Sequence, residues 1–339
     1  MAAVRERLAE LRRQLEATGR PTTRTTLAEF LVPWLEAERR RVREATWRGR
    51  EQHVRLHIVP RLGGIPLADL RPTDVERMTA AIVSSGRSGQ SARHVRTTLR
   101  RALADAERDG LVMRNVAALS RPPRVEHHAI RVLSADETRG LLDATDDDEA
   151  GPLYALAATT GLRQGELLGL AWADVAGLDG RTPTLTVRHS LSRVAAGWAL
   201  AEPKTARSRR TLELGPTAAR ALRRERTRQK AARLAAGDLW QNADVLVFTD
   251  PLGRHLAGHE VGRGFTTTLV RLGLPRVRFH DLRHGAASLL LAQGVPLKLV
   301  SEQLGHSTIT ITADTYAHLD REQRRASADA IERAIGGEA

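Results

Sequence analysis

Two stretches near the C-terminus carry side chains suited to phosphate chemistry. Tyr316 is one of only two tyrosines in the chain, and His280 and Arg283 stand three residues apart in the stretch HDLRH. On a helix this spacing places both side chains on one face. An arginine there supplies two donors to a phosphate, and a histidine supplies a donor or relays a proton. A solvated helix face would also explain the pair, and a buried aromatic ring would explain Tyr316.

A third candidate stretch, TGLRQGEL, combines a turn residue with a cation and a carboxylate. Gly161 allows the chain to turn sharply, so Arg163 is predicted at the start of a helix. Backbone N–H groups and the helix dipole favour an anion at that end. Glu166 follows three residues later and can hold a neighbouring cationic side chain in place. The alternative is an ordinary helix start with an intrahelical ion pair.

A lysine and a histidine complete the candidate set. Lys204 is one of three lysines and lies in EPKT between two strand-like runs, although a lysine at a hairpin tip is usually just solvated. It is followed by three further basic residues that are candidates for contact with the phosphates of a polyanion, Arg207, Arg209 and Arg210. His306 lies in LGHS, ten residues before Tyr316. Residues 295–312 also read as a helix-turn-helix with Leu-Gly at its corner.

Composition limits the classes of protein that the chain can represent. The 339 residues include 53 basic and 40 acidic side chains, giving a net charge of +13 and a pI near 11.2, which points to nucleic acid as partner. The absence of cysteine excludes disulfide scaffolds, thiol catalysis and cysteine-based zinc sites. No run approaches about 18 apolar residues, and the N-terminus is no signal peptide, so we expect a cytoplasmic protein without a membrane segment.

The elements that must position these residues are mostly helices. We predict a short helical tail over residues 1–23, an all-helical domain over 24–119, a proline-containing linker over 120–132 and an α+β domain over 133–339. In the helical domain, Arg93, Arg96 and Arg100 (with Arg101) form the basic face of one helix. Capping boxes are predicted at Thr73 with Glu76 and at Ser134 with Glu137.

The α+β domain is predicted to contain a small sheet among its helices. Strands are expected at residues 184–187, 210–214 and 245–249. Helices are expected at 153–159, 163–170, 216–235, 258–272, 281–293, 297–304 and 321–335. The acidic run at 146–149 is predicted to be a solvated loop.

The combination of these motifs, in this order, resembles the tyrosine recombinase family, specifically the phage-type integrases, over roughly residues 25–335. The family's motifs fall on TGLRQGELLGLAW, the hairpin lysine, HDLRH, LGH and DTYAHL. The resemblance implies six catalytic residues, Arg163, Lys204, His280, Arg283, His306 and Tyr316, with Glu166 in a supporting role. It also implies a mainly α fold, in which an N-terminal SAM-like core-binding domain precedes an α+β catalytic domain with a small antiparallel sheet.

The chemistry that the resemblance implies is transfer of a DNA phosphodiester to Tyr316. His280, assisted by His306, would accept the tyrosine proton, while Arg163 and Arg283 stabilise charge on the phosphate oxygens. Lys204 would protonate the leaving 5′-oxygen. No cofactor or metal is expected, since the sequence has neither a phosphate-binding P-loop nor a carboxylate cluster for two metals.

The resemblance further implies double-stranded DNA and a tetramer of the chain itself as partners, with a Holliday junction as intermediate. The two domains would clamp the duplex, and a C-terminal helix over 322–335 would pack on the neighbouring protomer. Accessory DNA-bending or directionality proteins and a bacterial or phage nucleoid are the expected setting. About 24 residues precede the helical domain, too few for the arm-binding domain of many phage integrases. The alternatives are a noncatalytic helix-turn-helix regulator and a DNA-relaxing enzyme of the type IB topoisomerase kind.

Overall fold

Two compact units make up the chain. The computed structural model describes residues 25–125, 131–194, 197–201 and 209–305. The division between the units falls between His128 and Ala129. We refer to the part before this point as the helical unit and to the part after it as the mixed unit. Together they confirm the predicted class, mainly helical with a small antiparallel sheet.

The helical unit is built around four fully buried side chains from separate segments, Leu31, Ile58, Met78 and Leu99. Its elements are α1 (Leu27–Arg41), α2 (Glu44–His53), α3 (Val59–Leu62), α4 (Pro72–Ser84), α5 (Gly89–Arg108) and α6 (Val116–Leu119). A π-helical turn over Val54–Ile58 joins α2 to α3. The apolar side chains of α5 that face this core are Val95, Leu99, Leu103 and Ala106.

The start of α4 differs from the prediction. The helix begins at Pro72, and the carboxylate of Asp74 accepts a hydrogen bond from the Arg71 N–H at 2.9 Å. Proline suits the first helical position, where its missing N–H costs nothing. The predicted capping box at Thr73 and Glu76 is therefore wrong. Glu76 instead accepts a hydrogen bond from the Arg121 N–H at 2.8 Å, which ties α4 to the end of the unit.

The basic face predicted on α5 is only partly exposed. Arg93 and Arg100 lie at the surface, whereas Arg96 is buried. Arg96 donates through Nε to the Ser120 hydroxyl at 2.9 Å and through Nη2 to the Ser120 carbonyl at 2.5 Å. The guanidinium thus fastens α5 to the segment after α6. A role of Arg93 and Arg100 in phosphate contact stays a prediction.

The mixed unit confirms the helices predicted for its described part. They are α7 (Ala135–Ala144), α8 (Gly151–Thr160), α9 (Gln164–Leu168), α10 (Pro216–Ala236), α11 (Gly258–Arg271), α12 (Asp281–Ala292) and α13 (Leu297–Leu304). The capping box of α7 is present, with Ser134 and Glu137 each accepting the other's backbone N–H. Among the helices described in either unit, none is long and apolar enough to cross a bilayer.

Within the described part of the mixed unit, five short strands form two antiparallel sheets. They are β1 (Val175–Ala176), β2 (Thr184–Val187), β3 (Ser190–Val194), β4 (Gly197–Ala201) and β5 (Arg210–Glu213). The order β1-β2-β5 gives a three-stranded sheet, and β3 pairs with β4 as a separate hairpin. The strands predicted at 184–187 and 210–214 are confirmed and pair directly, with Leu185 opposite Leu212.

The strand predicted at residues 245–249 is wrong. Isolated bridges occur there, but its buried carbonyl groups are satisfied mainly by side-chain amides. Gln229 of α10 donates to the carbonyl oxygens of Leu246 and Val247 at 2.8 and 3.0 Å, and Asn242 donates to that of Leu246 at 2.9 Å. The apolar pattern had suggested that residues 245–249 form a strand, whose carbonyl groups would bind a neighbouring strand. The two side-chain amides make those hydrogen bonds instead.

The acidic run at 146–149 lies at the surface, as predicted, and is also ion-paired. Asp147 accepts a hydrogen bond from Arg224 at 2.9 Å, and Glu149 accepts one from Arg228 at 3.1 Å. Asp148 pairs with Arg271 of α11. The run therefore bridges α10 and α11 through arginine side chains.

Candidate active site

The turn between α8 and α9 sets the position of Arg163. Gly161 has φ +65°, and a Cβ there would stand 2.7 Å from Leu304 Cδ2. Only glycine combines this left-handed backbone with so close a neighbour at little cost. The chain then passes through Leu162, which is buried, to Arg163 at the N-cap of α9. The prediction that Gly161 ends one helix and that Arg163 starts the next is confirmed.

Glu166 is a buried carboxylate that two arginines share. Its Oε1 accepts from Arg163 Nη1 at 2.7 Å, and its Oε2 accepts from Arg210 Nη2 at 2.9 Å and from the Arg163 N–H at 3.0 Å. Burial by itself would raise the pKa of Glu166, but the charges and hydrogen bonds of Arg210 and Arg163 outweigh it and hold the pKa below 4.5. The carboxylate is therefore ionised at neutral pH.

The helix that carries His280 and Arg283 is anchored at its start by aromatic packing. Phe279 lies edge-on to Phe265, with ring centroids 5.6 Å apart, and Phe265 lies edge-on to Tyr154 at 5.2 Å. Asp281 accepts hydrogen bonds from the backbone and guanidinium of Arg278 at 2.7–3.0 Å. These contacts fix the first turn of α12, on which the two candidate residues stand.

Arg283 joins α12 to the Gly161 turn. The residue is only 4% exposed, and its Nη1 donates to the Gly161 carbonyl at 2.8 Å. That carbonyl lies two residues before Arg163 along the chain. Two candidate arginines, 120 positions apart in the sequence, are thus positioned by the same turn.

His280 is the N-cap residue of α12 and is exposed to solvent. Its ring centroid is 5.6 Å from that of His284, and the two rings are nearly perpendicular. Partial burial of the imidazole lowers the pKa of His280 below 6.5, and the nearby charges of His284 and Arg283 lower it further. The neutral form therefore dominates at pH 7, as a proton acceptor requires.

Arg210 is placed differently from a surface arginine. It begins β5, and its side chain is 8% exposed. Besides the bond to Glu166, its Nε donates to the Gln303 carbonyl at 2.6 Å, near the end of α13. A Cβ at Gly305 would stand 2.8 Å from Arg210 Nη1. Arg163 Nη2 donates to the Gly305 carbonyl at 2.8 Å, so the same corner of the chain contacts both arginines.

Two glycines of the TGLRQGELLGL stretch allow a strand to approach α9 closely. A Cβ at Gly165 would stand 2.6 Å from Ser190 Oγ, and one at Gly169 would stand 2.7 Å from the Leu191 N–H nitrogen. Any larger side chain would push β3 away from α9. The first residues of the β3-β4 hairpin are in this way held next to the helix that follows Arg163.

The predicted site residues fall into three groups. Arg163, Glu166, Arg210 and Arg283 are brought together around the Gly161 turn and the Gly305 corner, and His280 lies one helical turn from Arg283. Arg209, which precedes Arg210 in the sequence, is exposed to solvent. The remaining predicted residues lie outside the described residues, namely Lys204, Arg207, His306 and Tyr316. The predicted helical tail over residues 1–23 and the helix predicted at 321–335 also lie there.

The inward position of Arg210 was missed because the prediction counted it with a basic run. A signal was nevertheless present in the strand alternation. Residues 210, 212 and 214 share one face of β5, and both Leu212 and Leu214 are buried. The basic residue therefore continues an inward-facing series rather than a solvent-facing one.

This arrangement is suited to an anion with charge on several oxygens. Arg163 is 37% exposed, so its guanidinium is accessible, while Glu166 and the Gly305 carbonyl restrain its direction. Such restrained donors can stabilise developing negative charge without reorganising first. Within the described ranges, no group of three or more His, Asp or Glu side chains comes together as a possible metal site.

Comparison with known families matches most of the chain. The profile of the phage integrase family matches residues 131–323, and that of the phage integrase N-terminal SAM-like domain matches residues 26–79. The first profile alone spans more than half of the sequence. Each profile falls in a different compact unit.

Individual relatives give the same result. The chain is 30% identical to a tyrosine recombinase XerC-like protein of Caldanaerobacter subterraneus subsp. tengcongensis, over 88% of this chain and 81% of that protein. It is 31% identical to an integrase of Streptomyces ambofaciens, over 77% of this chain and 68% of that one.

Solved structures share the fold. The Tn1549 transposon integrase in complex with a circular intermediate DNA superposes with a TM-score of 0.77 at 21% identity, covering 91% of this chain and 99% of that one. A lambda integrase tetramer bound to a Holliday junction superposes with a TM-score of 0.62 at 21% identity, covering 89% and 80%.

Proposed function

Because the chain belongs to the phage integrase family, and is thus a tyrosine-type site-specific recombinase that breaks and rejoins DNA strands, we propose specific roles for its site residues. Tyr316 attacks a DNA phosphodiester, and Arg163 and Arg283 hold the nonbridging oxygens of the attacked phosphate. Glu166 keeps Arg163 in position.

The reaction balances as two successive transesterifications. The Tyr316 hydroxyl has an ordinary pKa of about 10, so it must lose its proton as it attacks. His280, with His306, takes that proton, and Lys204 gives one to the 5′-oxygen as the P–O5′ bond breaks. A 3′-phosphotyrosyl bond and a free 5′-OH result. A 5′-OH from the partner duplex then attacks the phosphotyrosine and restores the backbone, so the bond energy is retained.

The observation that carries the proposal is the hydrogen bond from Arg283 to the Gly161 carbonyl. It brings the HDLRH helix against the turn that presents Arg163, as a shared phosphate site requires. The lowered pKa of His280 supports its assignment as the base, because a neutral imidazole can accept a proton at pH 7.

The enzyme acts on double-stranded DNA as a tetramer on paired sites, through a Holliday junction. We propose that residues 24–119 bind the core site, that residues 133–339 perform the chemistry, and that residues 120–132 link them. Surface contacts to phosphates are assigned to Arg93, Arg100, Arg207 and Arg209. The relatives from bacteria and mycobacteriophages support a bacterial cytoplasmic setting. We further propose that the enzyme acts there on nucleoid DNA.

A suicide-substrate assay tests the proposed function. The protein is incubated with nicked duplexes carrying the repeats that flank its gene, and covalent adducts are resolved on a denaturing gel. Wild type should form an adduct, and Tyr316→Phe should bind the same DNA without forming one.

The second tyrosine provides the matched control. Tyr154 packs in the aromatic core, so Tyr154→Phe should still form the adduct. Absence of an adduct from wild type on DNA that it binds would overturn the catalytic assignment and favour a regulator. Plasmid relaxation without junction formation on paired sites would instead indicate an enzyme of the topoisomerase kind.

A further inference from the structure

We propose that Arg210 is a positioning residue for the strand-exchange reaction. Its side chain links the end of α13 to Glu166, and through Glu166 it sets the direction of the Arg163 guanidinium. The proposal rests on the proposed function of Arg163 and replaces our prediction that Arg210 contacts DNA phosphates.

The geometry shows Arg210 donating in two directions from within the protein. Its Nε binds the Gln303 carbonyl at 2.6 Å, and its Nη2 binds Glu166 Oε2 at 2.9 Å. Both of these donor atoms are used by protein acceptors, and the side chain is 8% exposed, so the guanidinium is engaged within the protein. The planar guanidinium fork can serve both acceptors at fixed angles, whereas a lysine ammonium is a point charge.

Glu166, which Arg210 holds in place, in turn restrains the side chain of Arg163. The carboxylate oxygen that does not bind Arg210 accepts from Arg163 Nη1 at 2.7 Å, and both atoms belong to one rigid group. Arg163 is held a second time by the Gly305 carbonyl at 2.8 Å, two residues beyond the acceptor of Arg210. Arg210, Glu166, Arg163 and the Gln303–Gly305 corner thus form a closed ring of contacts.

The ring also connects two segments that bear proposed catalytic residues. Arg210 follows Lys204 by six positions, and Gly305 immediately precedes His306 in the sequence. A displacement of either segment would therefore be transmitted to Arg163 or to Glu166 through a side chain or a peptide group that contacts them. Loss of Arg210 should alter the reaction rate while leaving the DNA-facing surface in place.

A second buried arginine–glutamate pair in the mixed unit provides a matched control. Arg228 donates to Glu225 at 2.9 Å through Nε and at 2.6 Å through Nη2, and Glu225 is 1% exposed. This pair joins α10 to the Thr249 carbonyl and, through Arg228, to Glu149 of the acidic run. Arg228→Gln removes a comparable buried pair without touching the proposed ring.

The experiment compares Arg210→Gln, Arg210→Lys and Arg228→Gln in the full chain. We measure the dissociation constant for intact site DNA, the rate of adduct formation at saturating nicked DNA, and thermal unfolding. For Arg210→Gln we expect the dissociation constant within about twofold of wild type and the adduct rate lower by about 100-fold, the loss that a misplaced group produces. Arg210→Lys should recover only part of the rate.

A double variant provides the decisive comparison. If Arg210 acts through Glu166, then Glu166→Gln combined with Arg210→Gln should form adduct no more slowly than the slower single variant. Multiplication of the two single effects would contradict the proposal. So would a weaker dissociation constant with a salt slope reduced by about 1, which is the signature of a phosphate contact.

A purely structural role is separated by the control. Arg228→Gln should lower the unfolding temperature while keeping the adduct rate within about twofold of wild type when assayed well below that temperature. If Arg228→Gln loses as much rate as Arg210→Gln, the positioning role is wrong. Failure of wild type to form any adduct would count against the proposed function itself and is read out independently.

Discussion

The carboxylate of Glu166 and the guanidinium of Arg210 form an ion pair at 2.9 Å, with 4% and 8% of the two side chains exposed. A buried pair of this kind is costly to break on one side only, because the remaining charge loses its partner and cannot recover water. The relationship gives Glu166 both a structural and a chemical role.

Replacement of Glu166 by glutamine should destabilise the mixed unit strongly. The change removes the buried negative charge that pairs with Arg210 and Arg163, so we expect the free energy of unfolding to fall by about 3–5 kcal/mol at pH 7. Urea unfolding followed by circular dichroism measures it. Glu260→Gln is the control, since Glu260 is 61% exposed and stands 4.0 Å from Arg263, and its loss should cost less than about 0.5 kcal/mol. Similar losses in both variants would contradict the prediction.

The same carboxylate should contribute to acid unfolding. The pKa of Glu166 is lowered in the folded protein, so its stabilising contribution is complete above pH 4.5 and is lost as the pH falls through the lowered value. The stability difference between wild type and Glu166→Gln should therefore be constant at neutral pH and should shrink as the pH falls below 4.5. Urea unfolding across this range tests it, and a difference that grows on acidification would refute the sign.

The rate of adduct formation should follow the protonation of His280. Because the pKa of His280 lies below 6.5, the rate should stay level from neutral pH down to about that value and decline only below it. His280→Asn should lower the rate by about 100- to 10,000-fold and remove the inflection. His255, which pairs with Asp244 at 2.9 Å, is the control, and His255→Gln should keep the wild-type profile. An inflection above 6.5 would exclude His280 as the base.

Two glycines with the same backbone conformation should respond differently to alanine. Gly305 has φ +66° and faces Arg210, whereas Gly294 has φ +76° with no atom within 4 Å of an added Cβ. Gly294→Ala should cost only the left-handed strain of about 1–2 kcal/mol and retain the adduct rate. Gly305→Ala adds a collision with the guanidinium, so both stability and rate should fall further. Equal effects in the two assays would show that strain alone matters.

The arginines of α5 should divide into two classes. Arg93→Gln and Arg100→Gln should each weaken binding to any duplex and reduce the salt slope of the binding constant by about 1. Arg96→Gln should instead destabilise the helical unit by about 1.5–3 kcal/mol, since it removes charged hydrogen bonds to Ser120. Binding titrations at several salt concentrations and urea unfolding distinguish the classes. A reduced salt slope for Arg96→Gln would return it to the DNA-contacting set.

Local signals in the sequence were sufficient for most elements. The Ser134 capping box, the glycine break at Gly161 and the alternation at 184–187 are short-range patterns, and the structure contains each of them. These features depend on neighbouring residues alone. Family motifs likewise located Arg163, Glu166, His280 and Arg283, which the fold then brings close together.

The wrong predictions concern positions whose structure depends on residues that are distant in the sequence. The apolar pattern at 245–249 resembles a strand, but its carbonyls bind the side chain of Gln229 in α10, which no local window contains. The start of α4 was misplaced because Pro72 competes with Thr73 for the first turn. The burial of Arg96 and Arg210 was not predicted, because arginine is abundant in this chain and most of the described arginines are exposed.

The acidic run at 146–149 has a consequence for how the enzyme meets DNA. Its carboxylates pair with Arg224, Arg228 and Arg271 and act as built-in counterions for that side of the mixed unit. Arginines already paired in this way are less available to replace the cations condensed on DNA, and so they gain little from a phosphate. These three arginines, although they count toward the net charge of +13, should therefore contribute little to the attraction of a duplex.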